Sequence, residues 1–461
     1  MGSSAFPPME QLSSILSARH ESSDGSTTPG SVCIDSRHCR PGALFFALPG
    51  ERSDGHRYVG AAAEAGACAA VVRASTAPDG TPWPLPVLVV PDALVALHDL
   101  AAWYVDEHLS RTTVRIGVTG SNGKTTTKEM LAAILRDTDS CFVSHGNYNS
   151  ETGLPLSVFD TPRDVRFAVY EMAMSRPGEI AALARIIRPH HAVITHIGTA
   201  HIGYLGSRQA IAVEKKQIAA YFTGSETLYI PEDDDFQEFL AADVAGTIVE
   251  TGPASQSASI EVDAEEYQAV VRIGDRAAKL PIPGRHNGRN ALLALAVAQN
   301  LGVSLNFALS SLQKISLPEG RSQKIVAHGI TIIHDAYNAN PGSMVAAIHM
   351  AQEMGATILV LGDMYELGTF EEAGHREVLQ AALSSSARLI CCVGERFGAT
   401  VAEASGTDQA HRILAVSSVA EARDAIRPHL AAGDTLLLKG SRAVALEQLI
   451  EGLTAGGAVR A

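Results

Sequence analysis

Short apolar runs alternate with amphipathic stretches through the middle of the chain. A run that starts at Val114 predicts a strand. The helix predicted to begin near Lys124 carries Met130, Leu131 and Ile134 on one apolar face. Further strands are predicted at 167–170 and 192–197, and further helices at 179–187 and 208–222. Such alternation predicts a parallel sheet covered by helices.

The flanking parts of the chain show related patterns. Strands are predicted at 42–48 and 87–90, and a helix at 94–108. Shorter strands within 257–282 predict an antiparallel extension, and an amphipathic helix is predicted at 289–301. Near the end of the chain, helices separate predicted strands at 330–334, 358–361, 389–393 and 435–438, which is typical of a doubly wound fold.

We therefore predict an α/β protein of three domains. A chain of 461 residues is too long for one compact core. Residues 1–110 are predicted to form a small α/β domain. Residues 111–318 are predicted to form a central P-loop-type domain with a mainly parallel sheet, and residues 319–461 a Rossmann-like, doubly wound domain.

Composition and charge exclude several classes of protein. Hydrophobic residues make up 46% of the chain and charged residues 19%, which fits a soluble globular protein. We find no apolar run of about 18 residues and no secretory signal in residues 1–16, so we expect a cytoplasmic protein without a membrane span. The net charge of −14 opposes binding to nucleic acid. We also expect a monomer.

The segment 117–127, Gly-Val-Thr-Gly-Ser-Asn-Gly-Lys-Thr-Thr-Thr, lies between a predicted strand and a predicted helix. That context is typical of a loop whose backbone N–H groups surround phosphate oxygens. Lys124 can reach the β- and γ-phosphates of a nucleotide, and the Thr125 hydroxyl can bind Mg²⁺. The fit to the general pattern is imperfect, because Val118 occupies its first glycine position. The alternative is a glycine turn that merely opens a helix.

The form Thr-Gly-Ser-Asn-Gly-Lys-Thr-Thr resembles the Mur ligase family, and similar segments extend over nearly the whole chain. They lie at 35–37, 41–47, 50–56, 146–155, 177–180, 188–190, 334–341, 361–368 and 439–442. The resemblance implies an ATP-dependent ligase that forms an amide bond through an acyl phosphate. Segments 146–155 and 337–341 favour the members that add D-alanyl-D-alanine to UDP-N-acetylmuramoyl-tripeptide.

Two places depart from the family pattern. Ala173 and Ser175 occupy positions where glycine and asparagine are common, and Ser150 replaces another common asparagine. These departures concern the pocket for the acceptor and leave Glu171 in place.

The resemblance also implies roles for individual residues. Those implied to bind ATP are Gly120, Asn122, Gly123, Lys124, Thr125, Thr126, Asn287, Asn290, Arg321 and Asp335. Those implied to hold Mg²⁺ are Thr125, Glu171 and His201, and those implied to be catalytic are Lys124, Lys215 and His201. Those implied to bind the other substrates are Ser36, Arg37, Asp54, His56, Asn147, Asn149, Tyr337, Asn338, Asn340 and Lys439. For Asn287 helix capping is the alternative, and for His201 a loop histidine without a role.

Lys215 also stands out from its position alone. In the predicted helix 208–222 it shares an apolar stripe with Ile211, Ile218 and Phe222. A lysine there must extend to water, find a partner or lose its charge. The resemblance implies that CO₂ carbamylates it, and a lysine that extends to water is the alternative.

Three other functions remain open from the sequence. The first is another ligase of the same family, such as one that adds a single amino acid. The second is a P-loop NTPase that drives a partner protein by conformational change. The third is an inactive relative, which the joint presence of Lys124, Thr125, Glu171, His201 and Lys215 argues against.

Overall fold

The computed structural model describes residues 6–20, 26–50, 53–77, 79–263, 265–404 and 410–454. Glu51 and Arg52, which belong to one of the segments similar to the family, lie outside these ranges. Within them no helix is long and apolar enough to cross a membrane. The structure is built around four sheets, and the α/β prediction is confirmed.

The first part of the chain forms a five-stranded sheet in the order β1-β5-β4-β3-β2, parallel except at the β1–β5 edge. Its strands are β1 Arg19–His20, β2 Ser31–Cys33, β3 Ala43–Phe46, β4 Ala69–Val72 and β5 Val87–Val89. Its helices are α1 Met9–Ile15, α2 Val59–Glu64 and α3 Ala93–Trp103.

The central sheet has six parallel strands in the order β11-β10-β9-β6-β8-β7. Its strands are β6 Val114–Thr119, β7 Cys141–Val143, β8 Phe167–Glu171, β9 His191–Ile194, β10 Thr227–Pro231 and β11 Thr247–Thr251. Its helices are α4 Lys124–Arg136, α5 Gly153–Phe159, α6 Glu179–Ile187, α7 Ile202–Leu205, α8 Arg208–Lys216 and α9 Gln237–Ala241. Because the strand order reverses at β6, the carboxyl ends of β6, β8 and β9 surround the crevice where such sheets bind ligands.

An antiparallel sheet and two helices extend the central part. The strands β12 Ala258–Val262, β13 Gln268–Ile273 and β14 Arg276–Pro283 confirm the predicted extension. The helices are α10 Arg285–Asn300 and α11 Leu305–Leu312. Helix α10 packs against α4 in a shared apolar core, so the start of α10 lies beside the start of the phosphate loop helix.

The last part of the chain forms a six-stranded sheet in the order β15-β16-β20-β17-β18-β19. It is parallel except at the β15–β16 edge. Its strands are β15 Gln323–Ala327, β16 Ile330–His334, β17 Ile358–Gly362, β18 Leu389–Val393, β19 Ile413–Val416 and β20 Thr435–Lys439. Its helices are α12 Pro341–Glu353, α13 Glu371–Ser384, α14 Glu395–Ala404, α15 Val419–Ile426 and α16 Gln448–Thr454.

Several predicted bounds were wrong. The strand predicted to reach residue 197 ends at Ile194, because the chain then turns under the phosphate loop. The helix predicted from 289 begins at Arg285, and the helix predicted to 222 ends at Lys216 with one tighter turn after it. The helix predicted to 108 is α-helical only to Trp103 and continues as a wider turn. Domain boundaries at 110 and 318 stay a prediction.

Candidate active site

A cavity of about 940 Å³ lies where the central and C-terminal sheets present the carboxyl ends of their strands. The predicted residues that line it are Asn122, Gly123, Lys124, Thr125, Thr126, Asn147, Asn149, Glu171, His201, Asn287, Asn290, Arg321, Asp335, Tyr337, Asn338, Asn340 and Lys439. Gly120 and Lys215 lie outside this lining, and so do the four residues assigned to the first sheet.

The phosphate loop joins β6 to α4 and rests on the segment after β9. Gly120 has φ +149°, and a Cβ there would lie 1.8 Å from Thr195 Oγ1, so only glycine fits. The Thr195 hydroxyl donates to the carbonyl of Asn122. The backbone N–H of Ser121 donates to the backbone carbonyl of His196 at 2.8 Å. The loop is therefore preorganised by the neighbouring strand.

Lys124 is the first residue of α4. Its Nζ donates to the Gly120 carbonyl at 2.9 Å, inside the loop that it closes. Burial lowers the pKa of Lys124; the nearby Arg321 lowers it further, whereas Glu171 opposes the shift. An anion in the cavity would stabilise the charged form of both cations.

Glu171 ends β8 and is only 2% exposed. One carboxylate oxygen accepts a hydrogen bond from the Thr125 hydroxyl at 2.7 Å, and the other accepts from Asn149 Nδ2 at 2.8 Å. Lys128 Nζ lies 3.8 Å from the first oxygen and donates to the Ser144 carbonyl at 2.9 Å. A buried carboxylate is thus held by three partners, as its burial requires.

The described residues contain no group of three His, Cys, Asp or Glu side chains that could hold a metal ion. Mg²⁺ commonly takes only one or two protein oxygens and completes its shell with phosphate and water. The Thr125 hydroxyl and the Glu171 carboxylate, 2.7 Å apart at the cavity wall, are oxygen ligands of that kind. The donor set therefore fits Mg²⁺ together with a nucleotide.

Asn287 and Asn290 lie in the first turns of α10, beside the phosphate loop. Asn290 Nδ2 donates to Asn287 Oδ1 at 3.3 Å, and Asn287 Nδ2 donates to the Pro283 carbonyl at 2.7 Å. The residue preceding the helix is Gly284, so the alternative that Asn287 caps the helix is wrong. Both amides are buried at the cavity wall.

On the C-terminal side, Asp335 follows β16 and Lys439 ends β20. Lys439 Nζ lies 2.9 Å from the Asp335 carboxylate and donates to the backbone carbonyls of Asp335 and Asn338. These contacts hold the loop after β16. The Arg321 guanidinium lies over the Tyr337 ring at 4.1 Å, so both side chains face the same cavity.

Two contacts between side chains join the C-terminal part of the chain to the central part at the cavity. Asn340 caps α12, and its Nδ2 donates to Asn122 Oδ1 in the phosphate loop at 2.8 Å. His201 Nδ1 lies 2.7 Å from the carboxylate of Glu366, although the ring nitrogen does not point straight at the oxygen. Glu366 also lines the cavity.

Lys215 lies on α8 and is only 1% exposed, so the alternative that it extends to water is wrong. Its Nζ makes no hydrogen bond or ion pair with the described part of the chain. Burial lowers the pKa of Lys215 well below its ordinary value, and Lys124 adds to this shift. The lowered pKa raises the neutral fraction of the amine, which is the form that can act as a nucleophile.

Residues assigned to the first sheet gather around α2 instead. The single helical turns at 36–38 and 55–58 both pack against it. Arg37 forms an ion pair with Asp35. His56 is buried between Asp54, 2.6 Å from its Nδ1, and the backbone N–H of Arg73, which donates to its Nε2 at 3.0 Å.

Three segments match family profiles. Residues 30–104 match the catalytic domain of the Mur ligase family, 118–298 the Mur ligase middle domain, and 320–442 the Mur ligase glutamate ligase domain. The UDP-N-acetylmuramoyl-tripeptide–D-alanyl-D-alanine ligase of Treponema pallidum is 35% identical over 95% of this chain and 97% of its own. That of Bacillus subtilis is 36% identical over 92% of both chains. The chain belongs to the Mur ligase family.

Solved structures of Mur ligases agree with this assignment. A MurF crystal structure from Acinetobacter baumannii has a TM-score of 0.88 at 29% identity and covers 98% of this chain and 100% of that one. The MurF ligase from Thermotoga maritima, solved in complex with ADP, has a TM-score of 0.79 at 26% identity. It covers 92% of this chain and 97% of its own.

The resemblance to the Mur ligase family did not reveal Lys128 or Glu366. Lys128 stands four residues after Lys124 and therefore on the same side of α4, which was the available signal. Glu366 lies inside the segment 361–368, which was matched to the family without a role for the glutamate. Its contact with His201 spans the two sheets and had no signal in the sequence.

Replacement of Lys128 by methionine should destabilise the protein. The variant removes the buried ammonium that lies 3.2 Å from the Glu129 carboxylate and 3.8 Å from that of Glu171, and a broken buried pair costs about 3–5 kcal/mol. Denaturant-induced unfolding followed by circular dichroism measures the loss. The control is Lys279→Met, which removes a partly exposed lysine from a surface ion pair and should leave the unfolding midpoint unchanged. Equal midpoints for both variants would contradict the role given to Lys128.

Proposed function

We propose that this chain joins D-alanyl-D-alanine to UDP-N-acetylmuramoyl-tripeptide with conversion of ATP to ADP and phosphate. The observation that carries the proposal is the single cavity in which Lys124, Glu171 and Asp335 meet from two sheets. Near full-length similarity to ligases of that name supports the choice of substrates.

The proposed chemistry has two steps. An oxygen of the tripeptide carboxylate attacks the γ-phosphorus of ATP, and the bond from that phosphorus to the bridging β-phosphate oxygen breaks. ADP departs, and the tripeptide carries an acyl phosphate. The neutral amine of D-alanyl-D-alanine then attacks the acyl carbon, the amide bond forms, the nitrogen gives up one proton, and inorganic phosphate departs with the electrons of the broken C–O bond. Lys124 and the backbone amides of the loop offset the charge that develops on the transferred group. The described geometry needs no covalent enzyme intermediate.

The residues around the cavity divide by the part of the reaction that each would serve. Asn287, Asn290, Arg321 and Asp335 are proposed to hold the nucleotide, with Asp335 as the acceptor for ribose hydroxyls. Mg²⁺ bound at Thr125 and Glu171, with His201 nearby, would supply further positive charge to the phosphate oxygens.

The remaining substrates occupy the open sides of the cavity in this proposal. Asn147, Asn149, Tyr337, Asn338 and Asn340 are amide and phenol groups at the wall, suited to peptide hydrogen bonds. Lys439 contributes indirectly, because it holds the loop that carries Asn338. Ser36, Arg37, Asp54 and His56 are proposed to hold the UDP end of the sugar nucleotide on the first sheet.

Lys215 is proposed to react with CO₂. A neutral amine attacks the carbon of CO₂, gives a carbamate and releases one proton. The lowered pKa favours the neutral amine, and the reaction breaks no hydrogen bond of Nζ to the described part of the chain. The carbamate is an anion near Lys124. It would attract the Lys124 cation, whereas a protonated Lys215 amine repels it. Burial of the carbamate is therefore supported by a neighbouring positive charge.

Phosphate release is expected to require both substrates. Wild-type protein with ATP and Mg²⁺ should release phosphate only when UDP-N-acetylmuramoyl-tripeptide and D-alanyl-D-alanine are both present, and mass spectrometry should show the pentapeptide. Release that accepts a single amino acid instead would indicate another Mur ligase. Release without any sugar peptide would indicate an NTPase.

Substitution Lys124→Ala should reduce kcat by about 10³-fold, because it removes a positive charge from the transferred phosphoryl group. A coupled phosphate assay measures the loss. Lys314→Ala is the control, since Lys314 is 72% exposed, lies beside Asp137 at the opposite end of α4 from the loop, and should leave kcat unchanged. Wild-type kcat in Lys124→Ala would overturn the assignment of the loop.

Carbamylation of Lys215 should be visible without turnover. Protein incubated with ¹³C-bicarbonate should show a carbamate carbon signal by NMR, and Lys215→Met should lose it. Lys216→Met is the matched control, because Lys216 is the next residue of the same helix and already donates to the Phe239 carbonyl. A signal that survives in Lys215→Met, or never forms in the wild type, would refute the carbamate.

A further inference from the structure

His201 and Glu366 meet where loops of the two parallel sheets come together. His201 follows β9 of the central sheet, and Glu366 follows β17 of the C-terminal sheet. The distance from Nδ1 to the carboxylate is 2.7 Å, and both side chains line the cavity. The histidine side chain is 16% exposed and the glutamate 43%.

The backbone at both residues is strained. His201 has φ +62° and Glu366 has φ +63°, which is the left-handed region that residues with a side chain rarely adopt. Such conformations are unfavourable and persist only where the surrounding structure enforces them. The fold therefore enforces an unfavourable backbone conformation on both sides of this contact.

The neighbouring backbones fix how closely the two loops approach. The Gly203 N–H donates to the Glu366 carbonyl at 3.1 Å. A Cβ on Gly203 would lie 2.6 Å from that carbonyl oxygen and 2.6 Å from the Gly368 nitrogen. The loops therefore touch backbone to backbone, which sets the distance between the His201 ring and the glutamate.

We propose that Glu366 is a positioning residue that orients the imidazole of His201 toward the reaction, an inference that rests on the function proposed above. A carboxylate can only accept, so its place 2.7 Å from Nδ1 favours the ring proton on that nitrogen even though Nδ1 is not aimed straight at the oxygen, and this leaves the Nε2 lone pair for a ligand in the cavity. Glu366 belongs to the C-terminal sheet, which also brings Asp335 and the Asn340–Asn122 contact. The part of the chain that orients His201 therefore also supplies Asp335 and Asn340 to the same cavity.

The ring tautomer of His201 tests this proposal without turnover. In wild-type protein labelled with ¹⁵N-histidine, the NMR shifts of His201, identified by its loss in His201→Asn, should report a proton on Nδ1. Glu366→Ala should shift the proton to Nε2, the form that free imidazole side chains favour in water. Glu366→Gln should keep the wild-type tautomer, because its amide oxygen still accepts. An Nε2 proton in the wild type, or no change in Glu366→Ala, would overturn the proposal.

Kinetics give the second readout. Glu366→Ala should lower kcat by about 10–100-fold and change the KM for ATP little, since it disturbs a group that orients another one. Glu366→Gln should recover most of kcat, and the control Glu372→Ala, from an exposed ion pair on α13, should behave as wild type. Equal losses in the alanine and glutamine variants would contradict positioning. If the wild type shows no ligase activity, the proposed function fails, while the tautomer experiment still decides the role of Glu366.

Discussion

The candidate site depends on one buried carboxylate. Glu171 lies at the end of the strand beside β6, where it is only 2% exposed, and a hydroxyl, an amide and a buried lysine compensate for the lost hydration. Thr125 and Lys128 both come from α4. Through these contacts the helix that carries the phosphate loop is fixed to the strand that carries the acidic group, so the two cannot move independently.

Cations gathered around the cavity explain how an acidic protein could hold an anionic nucleotide. The net charge of −14 belongs to the whole chain, whereas the cavity places Lys124 and Arg321 close enough to lower the pKa of the lysine. Lys215 lies outside the cavity lining, and its pKa is lowered by burial and further by the nearby Lys124. These cations around the cavity therefore repel one another, and a bound phosphate, together with the carbamate proposed for Lys215, would relieve this repulsion.

The sequence predicted local features better than contacts between sheets. The loop after β6, the position of Glu171 at a strand end and the burial of Lys215 follow from short-range patterns in the chain. The strand β9 ends early because the Thr195 hydroxyl turns to the Asn122 carbonyl, and the edge strands β15 and β19 were not predicted. The Asn340–Asn122 bond joins residues 218 positions apart, and such a pairing depends on how two sheets dock, which periodicity does not encode.

At two of the three positions that depart from the family pattern, the backbone N–H of the residue makes the contact. The Ala173 N–H donates to the Asn149 carbonyl at 2.8 Å, and the Ser175 N–H donates to the Glu179 carboxylate at 2.6 Å. Ser150 accepts from the Gly153 N–H at the start of α5. None of these bonds needs the side chain that is common in the family at positions 173 and 175, and a serine hydroxyl serves at 150. The path of the chain around Glu171 is therefore kept, and the substitutions change the volume and polarity of side chains that line the cavity.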